Sequence, residues 1–308
     1  MKRVWKQLWP WLLGATIVVV IATRVPLAAF RVAIHEGPHL RLFVVDMAVV
    51  VTLLFTDSFA TWVALRVNRV RWSASRTLVV RGATYILSLL NYAVGQGGIG
   101  YYLHRDGMST LRATGVTLFT MGTTLATLLV VTTATWALGG HATGGGAATM
   151  WWTLVGGCIA FAIYLAAVTA RPASLARRDV LAPLFDAGLG GHAAAMLARV
   201  PHVVLIVLGH WFAMLAWNIP VPFAAAVTVL PVVVVAGVLP ISPAGLGTTQ
   251  AALVYFFSAY ASGATDDDRA ASVLAFSIVH FVYAIVGQAA VGLICAPLAR
   301  QSTSSSAS

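Results

Sequence analysis

Charged residues are scarce in this chain. Only 9% of its 308 residues are charged, nine of them acidic, whereas 59% are hydrophobic. A soluble domain of this length needs a charged surface, because about 25% of the residues in such domains carry a charge. The scarcity excludes a soluble domain and indicates a protein whose main solvent is lipid.

Cysteine is also rare, and the sequence has no group of metal-ligating side chains at a typical metal-site spacing. The two cysteines, Cys158 and Cys295, both fall inside apolar runs, so they indicate neither a disulfide framework nor a metal cluster. No nucleophile lies at a suggestive spacing from a base. The sequence therefore predicts no catalytic residue, no metal and no cofactor.

What the chain has in abundance is long apolar runs. They are about 20 residues long and do not alternate with polar residues, which indicates membrane-spanning helices rather than barrel strands. The expected fold is an all-α integral membrane protein with one polytopic domain over 1–300. A serine-rich segment, 301–308, is expected to be a disordered cytoplasmic tail. Full spans are predicted at 9–30, 42–65, 111–138, 150–170, 193–218 and 271–298.

The basic residues predict the orientation. The net charge of +10 comes from side chains that cluster in short stretches between apolar runs. This pattern is typical of cytoplasmic loops facing anionic lipid and not of a nucleic-acid surface. The stretches 66–81 and 171–178 should be cytoplasmic, as should both termini, while 139–149 and 266–268 should lie outside. We expect a multi-pass protein of the inner (plasma) membrane with no nucleic-acid partner.

Two segments cannot be full spans on this count. Segments 82–104 and 223–262 each begin and end on one side of the membrane, and 82–104 is too short for two crossings of about 20 residues. They are expected to be re-entrant or broken-helix hairpins that enter from opposite sides. Between the fifth and sixth spans, residues 179–192 form an amphipathic pattern that should lie along the inner leaflet.

Each hairpin contains a glycine-rich motif. Residues 95–100 read Gly-Gln-Gly-Gly-Ile-Gly, which matches a dinucleotide-binding pattern but lies in an apolar run without a βαβ unit. In a membrane such glycines allow the backbone to unwind beside a ligand, or allow a tight helix crossing. Residues 240–250 combine prolines and glycines with polar side chains, as expected of a transporter's central site or of a simple outer turn.

These motifs resemble a known family. Pro243-Ala244-Gly245-Leu246-Gly247-Thr248-Thr249-Gln250 is similar to the Pro-Gly-Gly-Leu-Gly-x-x-Glu signature of the lysylphosphatidylglycerol synthase transmembrane (flippase-like) family. Tyr101-Tyr102-Leu103-His104-Arg105-Asp106-Gly107-Met108-Ser109 resembles that family's Tyr-Leu-Leu-Arg-Arg-x-Gly-Ile-Ser stretch. The order of the spans agrees over most of the chain. Gln96 and Gln250 stand where the family has glutamates, and Ile99 stands where an arginine is common.

The resemblance implies a protein that moves lipids between leaflets, here without the aminoacyl transferase domain to which such domains can be fused. Because neutral amides and helix N-termini can bind a phosphate, we expect an anionic phospholipid or a polyprenyl-phosphate-linked lipid as the substrate. The tips of the hairpins should meet near the bilayer midplane, with helix N-termini near Tyr101 and Thr248. The expected binding residues are Gln96, Gly97, Gly100, Tyr101, Arg105, Ser242, Gly245, Gly247, Thr248 and Gln250.

Two other functions remain open at this point. The chain could be a membrane-embedded enzyme acting on a lipid-linked substrate, with Asp266, Asp267 and Asp268 as its acids, or a non-transporting partner of a lipid-modifying enzyme. Homo-oligomers are also possible. Reconstitution with labelled lipids separates these functions.

Ionisable side chains inside predicted spans are costly, so each is expected to be paired or functional. Asp46 and Asp57 are close to three helical turns apart and share a face. They are expected to form structural ion pairs or a transport relay, and Arg24 is predicted to pair with Asp46. His210 and His280 are expected to be hydrogen-bonded interior side chains.

Overall fold

The structure, a computed structural model, describes residues 26–90, 92–139, 147–238 and 246–304. These residues form eleven α-helices, one short 3₁₀ turn at Ser258–Tyr260 and no strand. The helices are α1 (Leu27–His35), α2 (His39–Val67), α3 (Ala74–Ser88), α4 (Tyr92–Arg105), α5 (Thr110–Gly139), α6 (Ala147–Ala170), α7 (Ala173–Ala176), α8 (Ala182–Ala216), α9 (Phe223–Val238), α10 (Thr248–Phe257) and α11 (Asp266–Ser304).

Among the helices of these ranges, five are long and apolar enough to cross a membrane: α2, α5, α6, α8 and α11. A hydrocarbon core of about 30 Å requires about 20 residues at a rise of 1.5 Å each. The five helices correspond to five of the six predicted spans, so the all-α membrane class is confirmed. The predicted span at 9–30 lies mostly outside the described residues, and its described end belongs to α1, which continues to His35.

The described residues group into two compact units. The first unit comprises 26–51, 88–90, 92, 206–238 and 246–289, and the second comprises 52–87, 93–139, 147–205 and 290–304. Helices α2, α8 and α11 contribute residues to both units, and the single domain over 1–300 stays a prediction. Because α11 ends at Ser304, residues 301–304 are helical, and the prediction of a disordered tail is wrong for these four positions.

Each unit has its own apolar core. In the first unit, Leu42 of α2, Met214 of α8 and Phe276 of α11 are fully buried together with Leu230 and Leu253 of α9 and α10. In the second unit the corresponding side chains come from α2 to α5 and from α11, and they include Leu65, Val80, Ile99, Val116 and Ala299.

Helices α3 and α4 form an antiparallel hairpin of 15 and 14 residues, each too short to cross a bilayer. Arg76, near the start of α3, pairs with Asp106 after the end of α4 at 2.6 Å. Farther along, Gly98 of α4 packs against Thr84 and Leu87 of α3. The predicted pair of short helices is therefore confirmed. The basic stretch 66–81 is helical from Ala74 onward, because α3 begins there, and its cytoplasmic position stays a prediction.

Helices α9 and α10 are the second short pair, with 16 and 10 residues. They lie in close contact, since a Cβ atom on Gly237 would be 2.9 Å from Oγ1 of Thr249. Residues 239–245, between them, lie outside the described part of the chain. The interruption of the apolar run agrees with the predicted broken helix, whereas the sides from which the two hairpins enter stay a prediction.

Helix α8 is two helical segments joined by a kink at Gly188. The backbone there has φ 59° and ψ −178°, a conformation essentially restricted to glycine. The short first segment is amphipathic, with Phe185 buried and Asp186 exposed. The amphipathic character predicted over 179–192 is thus present in the segment before Gly188, and its position on the inner leaflet stays a prediction.

Helix α5 carries many threonines that satisfy their own hydroxyl groups. Each donates a hydrogen bond to a backbone carbonyl three or four residues earlier in the same helix, at 2.7–3.0 Å. Such back-bonding pairs a hydroxyl without a partner on another helix. The residues are Thr114, Thr117, Thr120, Thr123, Thr124, Thr127, Thr132, Thr133 and Thr135. A long polar-containing helix is thereby made compatible with lipid.

The packing of the α3–α4 hairpin predicts a difference between two adjacent glycines. A Cβ atom on Gly98 would lie 2.7 Å from Cγ2 of Thr84, whereas no described atom lies within 4 Å of the same position on Gly97. Because both substitutions change helix propensity by the same amount, Gly98→Val should destabilise the protein by about 1–3 kcal/mol more than Gly97→Val. SDS-induced unfolding in mixed micelles measures the difference. Equal stability of the two variants would contradict the close packing of α3 on α4.

Candidate functional site

Three charged side chains form a buried ionic cluster in the second unit. Nε of Arg81 donates to Oδ2 of Asp57 at 2.6 Å, and Nη1 of Arg199 donates to Oδ1 of the same carboxylate. The three side chains are only 1–6% exposed. Two guanidinium groups face one carboxylate, so the cluster carries a surplus of one positive charge within the membrane-embedded part of the chain.

Neighbouring polar and aromatic groups complete this cluster. Nη1 of Arg81 donates to Oγ1 of Thr84 at 2.8 Å, and its guanidinium lies 5.0 Å from the ring centroid of Tyr85. Nη2 of Arg199 lies 3.4 Å from Oγ1 of Thr61. Among the described residues, Nε of Arg199 has no acceptor although it is buried. A buried donor without an acceptor is uncommon in folded proteins and is a natural contact point for an anion.

The cluster joins three helices, because Asp57 lies on α2, Arg81 on α3 and Arg199 on α8. The sequence identified Asp57 as an ionisable residue within a span and placed Arg81 in a cytoplasmic stretch. It gave no partner for Arg199, which lies in the predicted span 193–218. The signal that was available is Arg199 itself: a lone arginine in an apolar run requires a counter-charge, and Asp46 and Asp57 are the acids in the predicted spans.

A second polar group lies in the first unit, around Asp46. Its Oδ1 accepts a hydrogen bond of 2.8 Å from Nδ1 of His280, and its Oδ2 has no donor among the described residues. The ring of His210 lies 4.9 Å from that of His280, and its Nδ1 donates to the carbonyl of Ile206 at 2.9 Å. Both histidines are hydrogen-bonded, as predicted. Arg24 lies outside the described residues, so its pairing with Asp46 stays a prediction.

The motif residues of α4 belong to the second unit. Gln96 is 2% exposed, and its Oε1 has no donor among the described residues, whereas Gly97, Tyr101 and Arg105 are exposed. Gly100 permits close packing, because a Cβ there would lie 2.9 Å from Oγ1 of Thr117. The helix is continuous from Tyr92 to Arg105. The prediction of a helix N-terminus near Tyr101 is therefore wrong. The backbone stays helical through the glycines of the motif 95–100.

The motif residues of α10 belong to the first unit. Gly247 has φ +90° and precedes Thr248, the first residue of the helix, so the predicted N-terminus is present here. Oε1 of Gln250 accepts a hydrogen bond from the backbone N–H of Gly247 at 2.6 Å, which caps the helix. Ser242 and Gly245 lie outside the described part of the chain. Whether Gln96 and Gln250 share a cavity stays a prediction.

The acidic run Asp266 to Asp268 forms the first turn of α11. Oδ2 of Asp268 accepts hydrogen bonds from N and Oγ1 of Thr265, and the backbone N–H of Asp268 donates to Thr265 Oγ1 at 3.1 Å. Asp266 pairs with Arg269. Asp268 therefore caps the helix, and all three carboxylates complement the helix dipole from the first turn.

The two buried carboxylates Asp46 and Asp57 thus each belong to a polar group, one in each unit, and the group around Asp57 has surplus positive charge. Among the described residues no group of three or more acidic, histidine or cysteine side chains is arranged to hold a metal ion. No known protein family, curated protein or solved structure matches the chain.

Proposed function

We propose that the protein is a flippase-like lipid transporter, which moves an anionic phospholipid or a polyprenyl-phosphate-linked lipid between the leaflets of the plasma membrane. The observation that carries the proposal is the surplus guanidinium charge in the cluster of Asp57, Arg81 and Arg199. Guanidinium groups bind phosphate oxygens through pairs of parallel hydrogen bonds, so they suit an anionic head group.

The position of this charge supports an anionic substrate. In a low-dielectric interior an unbalanced charge is costly and acts over a longer distance than in water. An anionic head group entering the second unit would offset the surplus, whereas a cationic solute would be repelled. One arginine would balance the charge of Asp57, and the cluster has two.

The hairpin of α3 and α4 supports the same function. Arg81 and Thr84 lie on α3, and the neighbouring α4 contributes Gln96, whose buried Oε1 lacks a donor among the described residues. This oxygen can accept a hydrogen bond from a head-group hydroxyl. Short interrupted helices inside a membrane domain are typical of transporter sites, and the motif resemblance to the lysylphosphatidylglycerol synthase transmembrane family agrees with lipid as the cargo.

We favour transport over catalysis because two of the acids that an enzyme was expected to use have structural partners: Asp268 caps α11 and Asp266 pairs with Arg269. We further propose that both termini are cytoplasmic and that Arg171, Arg177 and Arg178 face the cytoplasm, since basic residues concentrate on that side. The membrane lipid is then the main partner, with a second copy or a lipid-modifying enzyme as a further one.

Leaflet exchange tests the proposal directly. The purified protein is reconstituted into phosphatidylcholine vesicles that contain fluorescent phosphatidylglycerol, and dithionite reports the label that reaches the outer leaflet. We expect the protein to accelerate exchange of this lipid more than that of fluorescent phosphatidylcholine. A covalently altered lipid would instead indicate an enzyme, and neither exchange nor product would indicate a partner subunit.

Gln96→Ala should slow the exchange of labelled phosphatidylglycerol without unfolding the protein. The loss of one neutral hydrogen bond, worth about 0.5–1.5 kcal/mol, corresponds to a decrease of about two- to tenfold. Asp267→Ala, at an exposed position in the first turn of α11, is the control and should exchange lipid like the wild type. Gln250→Ala should lower stability as well, because Gln250 caps α10. An unchanged rate in Gln96→Ala would remove Gln96 from the site.

A further inference from the structure

A groove lies between α5, α6 and α8 within the second unit. Its cavity volume is about 280 Å³, and its walls include Phe119 and Leu129 of α5, Phe161 of α6 and Met196 of α8. The lining is apolar except for Thr123, Tyr164 and His192. No residue of the groove belongs to the cluster of Asp57, Arg81 and Arg199.

The polar groups of the groove already have hydrogen-bond partners within the protein. Nδ1 of His192 donates to the carbonyl of Gly188 at 2.6 Å, and its Nε2 accepts from the hydroxyl of Tyr164 at 2.7 Å. Thr123 donates to the carbonyl of Thr120 within its own helix. The groove therefore offers its occupant an apolar wall, and a polar solute entering it would lose its hydration without compensation. Hydrocarbon is the chemistry that fits.

The length of the groove corresponds to one leaflet. It follows α5 from Leu118 to Leu129, a distance of about 16 Å at 1.5 Å per residue. The hydrocarbon core of a bilayer is about 30 Å thick, so one leaflet supplies chains of about half that length. A single acyl chain lying along α5 would fill the groove from one end to the other.

Charged side chains lie beyond one end of the groove. Nη2 of Arg171, directly after α6, pairs with Oδ1 of Asp186 at 2.6 Å, and Nη2 of Arg112, near the start of α5, lies 3.7 Å from Oδ2. The three side chains are 33–57% exposed and carry a surplus of one positive charge. Arg112 lies before Leu118 on α5, and Arg171 lies after Tyr164 at the end of α6. Each arginine is about 10 Å along the helix from the groove residue nearest to it in sequence. A phosphate attached to the acyl chain would reach them.

We propose that this groove binds one acyl chain of an anionic phospholipid, with its phosphate at Arg112 and Arg171. The occupant comes from the surrounding leaflet, because the groove opens between membrane-spanning helices and its charged end has the opposite sign to the lipid. The site does not depend on leaflet exchange: a lipid bound here holds α5, α6 and α8 together whether or not the protein transports lipids.

Gly122 provides a way to fill the groove. It lies in the wall, and no described atom is within 4 Å of the position of a Cβ there, so a larger side chain projects into open space. Gly156 of α6 is a matched control, because it is exposed, has the same open surroundings among the described residues and does not line the groove. Leucine at either position adds the same side chain to a membrane-spanning helix.

Photocrosslinking of the full chain tests the proposal. The protein is placed in phosphatidylcholine vesicles that contain phosphatidylglycerol with a photoreactive diazirine on its acyl chain, and the labelled peptides are identified by mass spectrometry. We expect labels on α5 and α8 along the groove. Gly122→Leu should lower this labelling by about tenfold, the change that a loss of 1.4 kcal/mol in binding produces, while Gly156→Leu should label like the wild type.

A second lipid tests the charged end of the groove. It carries the same photoreactive acyl chain but has a phosphatidylcholine head group. Wild-type protein should label more with phosphatidylglycerol than with phosphatidylcholine, and Arg112→Gln combined with Arg171→Gln should remove that preference. This double variant changes exposed side chains, so it tests the site even where Gly122→Leu fails to fold. Equal labelling by the two lipids in the wild type, or undiminished labelling in folded Gly122→Leu, would overturn the proposal. Neither readout requires leaflet exchange, so the absence of exchange would refute the transport function alone.

Discussion

Asp57→Asn should destabilise the protein by about 3–5 kcal/mol, the usual cost of leaving a buried charge without its partner. Asp57 is 2% exposed and is the carboxylate that both Arg81 and Arg199 contact. The substitution preserves the shape of the side chain but leaves two guanidinium groups unbalanced. Arginine does not lose its proton in proteins, so the cluster cannot neutralise itself.

The matched control is Asp46→Asn, which makes the same change in the same helix at a position that is 1% exposed. The partner of Asp46 is His280, whose imidazole can lose its charge and still form a hydrogen bond. We expect this variant to lose about 1 kcal/mol. SDS-induced unfolding of both variants in mixed micelles gives the comparison. If Asp57→Asn loses no more stability than Asp46→Asn, the ionic cluster does not hold α2, α3 and α8 together.

Replacing the whole cluster by apolar side chains should separate stability from function. In the variant with Asp57→Leu, Arg81→Met and Arg199→Met, no charge remains unpaired. Substitution of a complete buried ion pair or triad is often neutral or stabilising by about 1–4 kcal/mol. We therefore expect this triple variant to unfold near the wild-type SDS concentration, in contrast to Asp57→Asn. It should nevertheless lose the exchange of labelled phosphatidylglycerol, because the surplus positive charge is gone.

The expected loss in exchange is at least about tenfold, since a charge-assisted hydrogen bond is worth about 1.5–3 kcal/mol. Exchange is measured in the vesicles described above, with the triple variant and wild type at equal protein-to-lipid ratio. Gly156→Leu serves as the folded control for a change within a span. A stable triple variant that still exchanges phosphatidylglycerol at the wild-type rate would show that the cluster is structural, and the head-group assignment would fail.

The spans could be predicted from the sequence because lipid imposes a simple rule. A helix of about 20 apolar residues pairs its backbone internally, so α5 and α6 were located to within a few residues by length alone. The short helices could be predicted from the same rule and the positions of the basic residues. These residues placed both ends of 82–104 on one side of the membrane, and the segment has too few residues to cross twice. The kink of α8 was not predicted, because Gly188 lies in a polar stretch where a glycine has several uses.

The ionic cluster was harder to predict because it depends on contacts between distant residues. Arg81 belongs to a run of arginines, and charge statistics assigned it to the cytoplasm with the others. Its burial follows from the start of α3 at Ala74, which carries Arg81 into the packed part of the second unit. The role of Gln250 was missed for a different reason. A glutamine three residues after the N-cap can cap the helix backbone with its own side chain, whereas the motif assigned Gln250 to the lipid.

The back-bonded threonines of α5 have a mechanical consequence. Because their hydroxyl groups bond to their own helix, few hydrogen bonds tie α5 to its neighbours. Thr127 reaches the carbonyl of Met196 at 3.3 Å, and Thr133 reaches Sγ of Cys158 at 3.5 Å. Van der Waals packing, rather than hydrogen bonding, therefore holds most of the surface of α5 against its neighbours. A small rotation of α5 about its axis changes this packing without breaking a hydrogen-bond network. A wall with that freedom can adjust to acyl chains of different length and unsaturation.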